Sequence, residues 1–159
     1  MPKKIRLLIV DDEERFLKTV SERLTIRDFD VTPVTGGAEA LEAARKQEFD
    51  IALVDLKMPG LSGEEVLLAL KKEHPLMEII MLTGHGSIDS AVQCTQAGSY
   101  RYLQKPYEMT GLLEVLRDAY QARVQNRLQL QQAKIEELTK MAMGESPLGI
   151  LRRLRELDS

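Results

Sequence analysis

Residues 7–17 read LLIVDDEERFL. Four apolar residues are followed at once by Asp11, Asp12, Glu13 and Glu14. A short unbroken apolar run of this length fits a buried strand. The acids after it repel one another and gain nothing from packing. Two readings stay open here. Either the acids begin a solvated helix, whose N-terminal dipole suits them, or a cation sits at the end of the strand.

Working outward, short apolar runs alternate with helical patterns. RLLIV (6–10), DIALVDL (50–56) and EIIMLTG (78–84) read as buried strands, with DVTPV (30–34) and YRYLQ (100–104) as two more. Pro33 cannot donate to a ladder, so its strand is expected at a sheet edge. Phe16, Leu17, Val20 and Leu24 mark a helix from Glu13 to about Arg27. Further helices are expected over 36–47, 64–73, 87–97 and about 108–143, with MPGLSG (58–63) as a loop. Strands that alternate with helices predict an α/β fold, an open parallel sheet covered on both faces.

Composition narrows the class. Hydrophobic residues make up 43% and charged residues 30% of 159, an ordinary soluble balance. A net charge of −3 gives no electrostatic case for direct DNA binding by this chain. Cys94 is the only cysteine, which excludes an intrachain disulfide and a cysteine-based zinc site. The first apolar run ends too soon for a signal peptide, and nothing approaches a membrane span. A cytoplasmic location is expected.

In open parallel sheets, ligands gather at the carboxyl ends of the strands. Those ends carry Asp11 and Asp12, Asp55, Thr83 and Lys105. Three carboxylates crowded together disfavour full ionisation. A hard cation such as Mg²⁺, which prefers oxygen ligands, resolves the conflict. A carboxylate beside a metal and an ammonium is a nucleophile of the aspartyl-phosphate type. Metal, lysine and hydroxyl together would neutralise the oxygens of an incoming phosphoryl group.

LLIVDDE, DIALVDLKMPGLSGEE, IIMLTGHG and AGSYRYLQKPYE occur in order over roughly residues 4 to 122. In these pieces the chain resembles the receiver domain of a bacterial two-component response regulator, in particular the receivers of enhancer-binding activators. The resemblance implies a flavodoxin-like, doubly wound five-stranded sheet of order 2-1-3-4-5, with a C-terminal helical extension here. It implies that Asp55 is the phosphoacceptor. Asp12 and Asp55 would hold Mg²⁺ with the Lys57 backbone carbonyl, and Asp11 would act through water. Thr83 and Lys105 would meet the phosphoryl group, with a cis bond before Pro106. Tyr102 matches the aromatic switch that turns inward. The donor would be a sensor histidine kinase, and the chain would catalyse only its own phosphorylation and dephosphorylation. Arg101 departs from the pattern, since an acid often precedes the aromatic switch. His85 stands where the family tunes phosphoryl lifetime, and its plainer reading is a solvent-facing loop histidine.

The expected organisation is a receiver over 1–122, a helical coiled-coil linker over 123–143 and a short helical tail over 144–159. Val124, Leu128, Gln131, Ile135, Leu138 and Ala142 alternate steps of four and three, a short heptad seam that predicts a homodimer. Gly144 is expected to stop that helix, and Ser146 to cap the next. GESP after such a linker resembles the entry to the ATPase domain of enhancer-binding activators. The chain's outlet is then a downstream protein or a C-terminal ATPase domain absent from it, since no phosphate-binding loop follows. Two other functions remain: an aspartyl-phosphate phosphatase, or an inert dimerisation module. The phosphatase needs an acid two residues after its nucleophile, where this chain has Lys57.

Overall fold

The computed structural model of the chain describes residues 3–84, 86–144 and 147–158. His85 and Ser146, the expected helix cap, lie outside the described residues. The chain divides into two compact units, Met1–Arg123 and Val124–Ser159.

The first unit alternates strand and helix. Its strands are β1 (Arg6–Val10), β2 (Asp30–Val34), β3 (Ile51–Val54), β4 (Glu78–Thr83) and β5 (Arg101–Gln104). Between them run α1 (Glu14–Ile26), α2 (Gly37–Lys46), α3 (Gly63–Glu73) and α4 (Ile88–Gln96). The helix α5 (Met109–Gly144) follows β5, and α6 (Pro147–Asp158) lies in the second unit. All strand pairs are parallel, in the order β2-β1-β3-β4-β5. Pro33 sits opposite Ile9 on the edge strand β2, where its missing N–H costs the sheet nothing on the outer side.

Alternation along the strands divides the core in two, because successive side chains point to opposite faces. Leu8, Val10, Ala52, Val54, Ile79 and Met81 pack on one face with side chains of α2, α3 and α4. Leu7, Ile9, Ile51, Leu53 and Ile80 pack on the other with Leu17, Val20 and Leu24 of α1. Leu112, Leu116 and Ala119 of α5 complete that second layer. Both faces are covered, which explains why β1, β3 and β4 read as continuous apolar runs.

The element ends differ by a residue or two from the sequence pattern. Asp50 and Asp55 fall just outside β3, yet their amides still bond across to Arg6 and Val10 at 2.9 Å each. Ser87 is the cap of α4 and not its first residue. Gly144 is the last residue of α5 and not a break before it ends. Among the described residues no helix is long and apolar enough to cross a membrane.

Candidate functional site

The parallel sheet sets its strand ends side by side, and this carries distant polar residues to one place. Asp11 follows β1, Asp55 follows β3, Thr83 ends β4 and Lys105 follows β5. Backbone bonds that continue the ladder pin the first, second and fourth. The Asp11 amide donates to Val34 at 3.2 Å, that of Asp55 to Val10 at 2.9 Å, and that of Lys105 to Thr83 at 2.9 Å. Asp11, Asp55 and Thr83 are buried, while Asp12 is exposed. One carboxylate oxygen from each of Asp11, Asp12 and Asp55 lies within 4.8 Å of the others.

The charges are unevenly matched. Lys105 Nζ donates to Asp11 Oδ2 at 2.6 Å and reaches Glu13 Oε1 at 3.4 Å. It also lies 3.9 Å from the centre of the Phe16 ring, whose negative face suits a cation. Phe16 in turn meets Tyr107 edge-on at 5.8 Å. The Lys105–Pro106 peptide is cis. Asp11 Oδ1 accepts the Glu13 amide at 2.9 Å. Asp55 has no such company: its Oδ1 is buried without a hydrogen-bond partner among the described residues.

Burial pushes the Asp11 carboxyl above its ordinary range, against the pull of Lys105 and the Glu13 amide; Asp55 adds to the push. Burial would lower Lys105, but the bond to Asp11 and the charges of Asp11, Asp55 and Glu13 overcome it and raise the ammonium. Burial thus prevails at Asp11, and the surrounding acids prevail at Lys105. The Asp11 side chain is 2% exposed and Lys105 12%, so the carboxylate loses more hydration than the ammonium. A cluster of this kind is short of positive charge at its buried carboxylates. It sets several carboxylate oxygens together, among them the unpartnered Oδ1 of Asp55.

Beside Lys105 an open groove of about 650 Å³ runs between α1 and the segment after β5, lined by Phe16, Thr19, Arg23, Pro106 and Tyr107. Lys57 is exposed, two residues beyond Asp55. Tyr102 is half-buried against the core of its sheet face, and its hydroxyl lies 2.7 Å from Ser90 Oγ.

One neighbour of the site was not foreseen. A Cβ on Gly63 would collide with the Asp55 carbonyl oxygen and lie 2.7 Å from Leu56 Cα. The Gly63 amide also donates to the Leu56 carbonyl at 2.8 Å. The loop after Asp55 therefore closes back on its own start, and only a glycine fits where it touches. Ser62 and Glu65 form a capping box with both of its reciprocal bonds, which marks the start of α3 and carries no signal of this approach.

A family model described as "Response regulator receiver domain" matches residues 7–117. Among curated proteins, the transcriptional regulatory protein GlrR of Escherichia coli (strain K12) is 36% identical over 117 residues, covering 74% of this chain and 26% of that protein. The DNA-binding transcriptional regulator NtrC of Klebsiella pneumoniae is 31% identical over 139 residues, covering 87% of this chain and 29% of that one. The chain thus spans about a quarter of the length of these relatives. A CheY-like response regulator receiver domain protein from Methanospirillum hungatei JF-1 superposes with a TM-score of 0.75 at 30% identity, covering 77% of this chain and 98% of that one.

Proposed function

Because the chain belongs to the response regulator receiver domain family, we propose that it accepts a phosphoryl group on Asp55 from a partner histidine kinase. A carboxylate oxygen of Asp55 attacks phosphorus. The bond from phosphorus to the donor imidazole breaks, its electron pair returning to that nitrogen, and an acyl phosphate forms. The observation that carries this reading is the buried, unpartnered Oδ1 of Asp55 inside a cluster of three acids.

The other residues take supporting roles. Lys105 leaves Asp11 to pair with a phosphoryl oxygen, and the Thr83 hydroxyl meets another. The donor set fits Mg²⁺: three carboxylates within reach of one another, one with an orphaned oxygen. Asp12, Asp55 and the Lys57 carbonyl would hold it directly, and Asp11 through water. Bound there, Mg²⁺ supplies positive charge that offsets the crowded carboxylates and the phosphoryl oxygens. Tyr102 turns inward as the site fills and passes the change to the receiver surface.

The cytoplasm is the compartment in which such a kinase would meet the chain. Its signal leaves through the helical segment after the receiver, toward a downstream protein or an ATPase domain that follows it. The seam from Val124 to Ala142 supports a parallel coiled coil and a homodimer.

Intact-mass measurement after incubation with acetyl phosphate and Mg²⁺ tests the central claim. The native chain should gain one phosphate, and Asp55→Asn none. Equal labelling of both removes Asp55 from the role.

A further inference from the structure

Helix α4 starts on a capping box made of two serines. Ser87 Oγ accepts the Ser90 amide at 3.0 Å, and Ser90 Oγ accepts the Ser87 amide at 3.0 Å. The third helical position of such a box is usually Glu or Gln, whose long side chain reaches back to the cap amide. Serine there brings a hydroxyl with one proton and two lone pairs.

Four groups crowd that one oxygen. Besides the Ser87 amide, Ser90 Oγ lies 3.0 Å from Ser87 Oγ, 3.0 Å from the Ser87 carbonyl and 2.7 Å from the Tyr102 hydroxyl. A hydroxyl satisfies three of them at most. The amide takes one lone pair. Tyr102 must then compete with Ser87 for the second lone pair or for the proton. Its contact is the shortest of the four.

The loop before the cap is shaped around the same ring. A Cβ on Gly86 would stand 2.8 Å from the Tyr102 hydroxyl, 3.1 Å from Cε1 of its ring and 2.7 Å from Gln104 Nε2. A side chain at 86 would have to push the tyrosine ring or the Gln104 amide aside. Two independent features, a hydroxyl on α4 and a missing side chain in the loop, thus hold one tyrosine of β5.

We propose that Ser90 is a positioning residue that ties Tyr102 to the first turn of α4, so that the ring and the helix cap change together. When Tyr102 moves, Ser90 Oγ loses its shortest contact and the first turn of α4 loosens. This second step rests on the reading of Asp55 and Tyr102 given above; the tie itself does not.

Hydrogen exchange of the full chain, followed at the amides of Ser90 and Ala91, separates this from plain capping. Those amides bond to Ser87, at its hydroxyl and its carbonyl. Tyr102→Phe keeps both serines and loses only the tie. It should speed exchange there about fivefold, the scale of one hydrogen bond. Ser90→Ala should do at least as much, and adding Tyr102→Phe to it should change little more. Ser90→Thr should restore slow exchange. Native exchange rates in Tyr102→Phe, or full additivity of the two changes, would overturn the proposal. Acetyl phosphate with Mg²⁺ tests the second step, with uptake read separately by mass. The native chain should change its exchange at these amides on labelling, and Ser90→Ala should label without that change. A failure to label at all counts against Asp55, while the unlabelled comparison still decides the tie.

Discussion

Arg123 of α5 donates from Nε to Asp50 Oδ1 at 2.9 Å, and the two side chains are only 7% and 8% exposed. Asp50 precedes β3, at the end of the sheet opposite the acidic cluster. Arg6 shares the same carboxylate, through its amide at 2.8 Å and through Nη2 at 3.0 Å. One acid therefore joins β1, β3 and α5. Removing it leaves the Arg123 charge buried without its partner. Asp50→Ala should destabilise the receiver by about 3 kcal/mol, the scale of a broken buried pair, and a urea titration measures it. A loss below about 0.5 kcal/mol would mean that solvent reaches Arg123.

Acid should undo this junction in a defined window. Burial works to raise Asp50, but its bonds with Arg6 and Arg123 outweigh it and hold the carboxyl below its ordinary value. A carboxyl lowered by folding stabilises the native state fully above the unfolded value of about 3.9. That stabilisation drains away as the pH falls from about 4 toward the lower folded value. Asp11 is shifted upward and works in the opposite sense. The difference between the native chain and Asp50→Asn isolates the effect. Melts across this window should show the native chain losing more stability than the variant, and parallel curves would contradict the assignment.

Gly63→Ala should damage both fold and site. The added methyl group meets backbone atoms of Asp55 and Leu56, which cannot swing aside as a side chain would. Overpacking of this kind costs about 1–3 kcal/mol. The Asp55 backbone must shift to relieve it, so labelling by acetyl phosphate should slow at least about tenfold, since misplacement of a reacting group is costly. Native stability together with native labelling would show that the loop has room to give.

The seam after the receiver makes a separate claim. Val124, Leu128 and Ile135 are 40%, 53% and 60% exposed in the single chain. Leu128→Glu places a charge in the middle of that stripe. Burying one leucine is worth about 1.5–3 kcal/mol, so the proposed dimer should weaken at least about tenfold in sedimentation at matched concentration. Unchanged sedimentation would mean that this stripe is not a dimer seam.

The strand-end residues could be read from the sequence because the logic of a parallel sheet is simple. Once β1, β3, β4 and β5 are recognised, Asp11, Asp55, Thr83 and Lys105 must approach one another whatever lies between them. Asp50 gave no such signal. Its partners stand 44 and 73 residues away, and nothing near them in sequence sets them apart from surface arginines. Gly63 is legible only when the path of the loop is known. The tie between Ser90 and Tyr102 was hidden in the same way, since a serine three residues into a helix reads as capping and no more. Heptad spacing, for its part, displays a stripe without naming what covers it.

The strand β3 is bracketed by two aspartates, Asp50 before it and Asp55 after it. They are the same chemical group, both almost wholly buried, four strand residues apart. One is permanently married to two guanidinium groups; the other keeps an oxygen without a suitor. The reactivity proposed for Asp55 is a matter of withheld company. An arginine brought within reach of Asp55 would make it a second Asp50: quiet, structural and spent. Lys105 is engaged to Asp11 instead, at 2.6 Å.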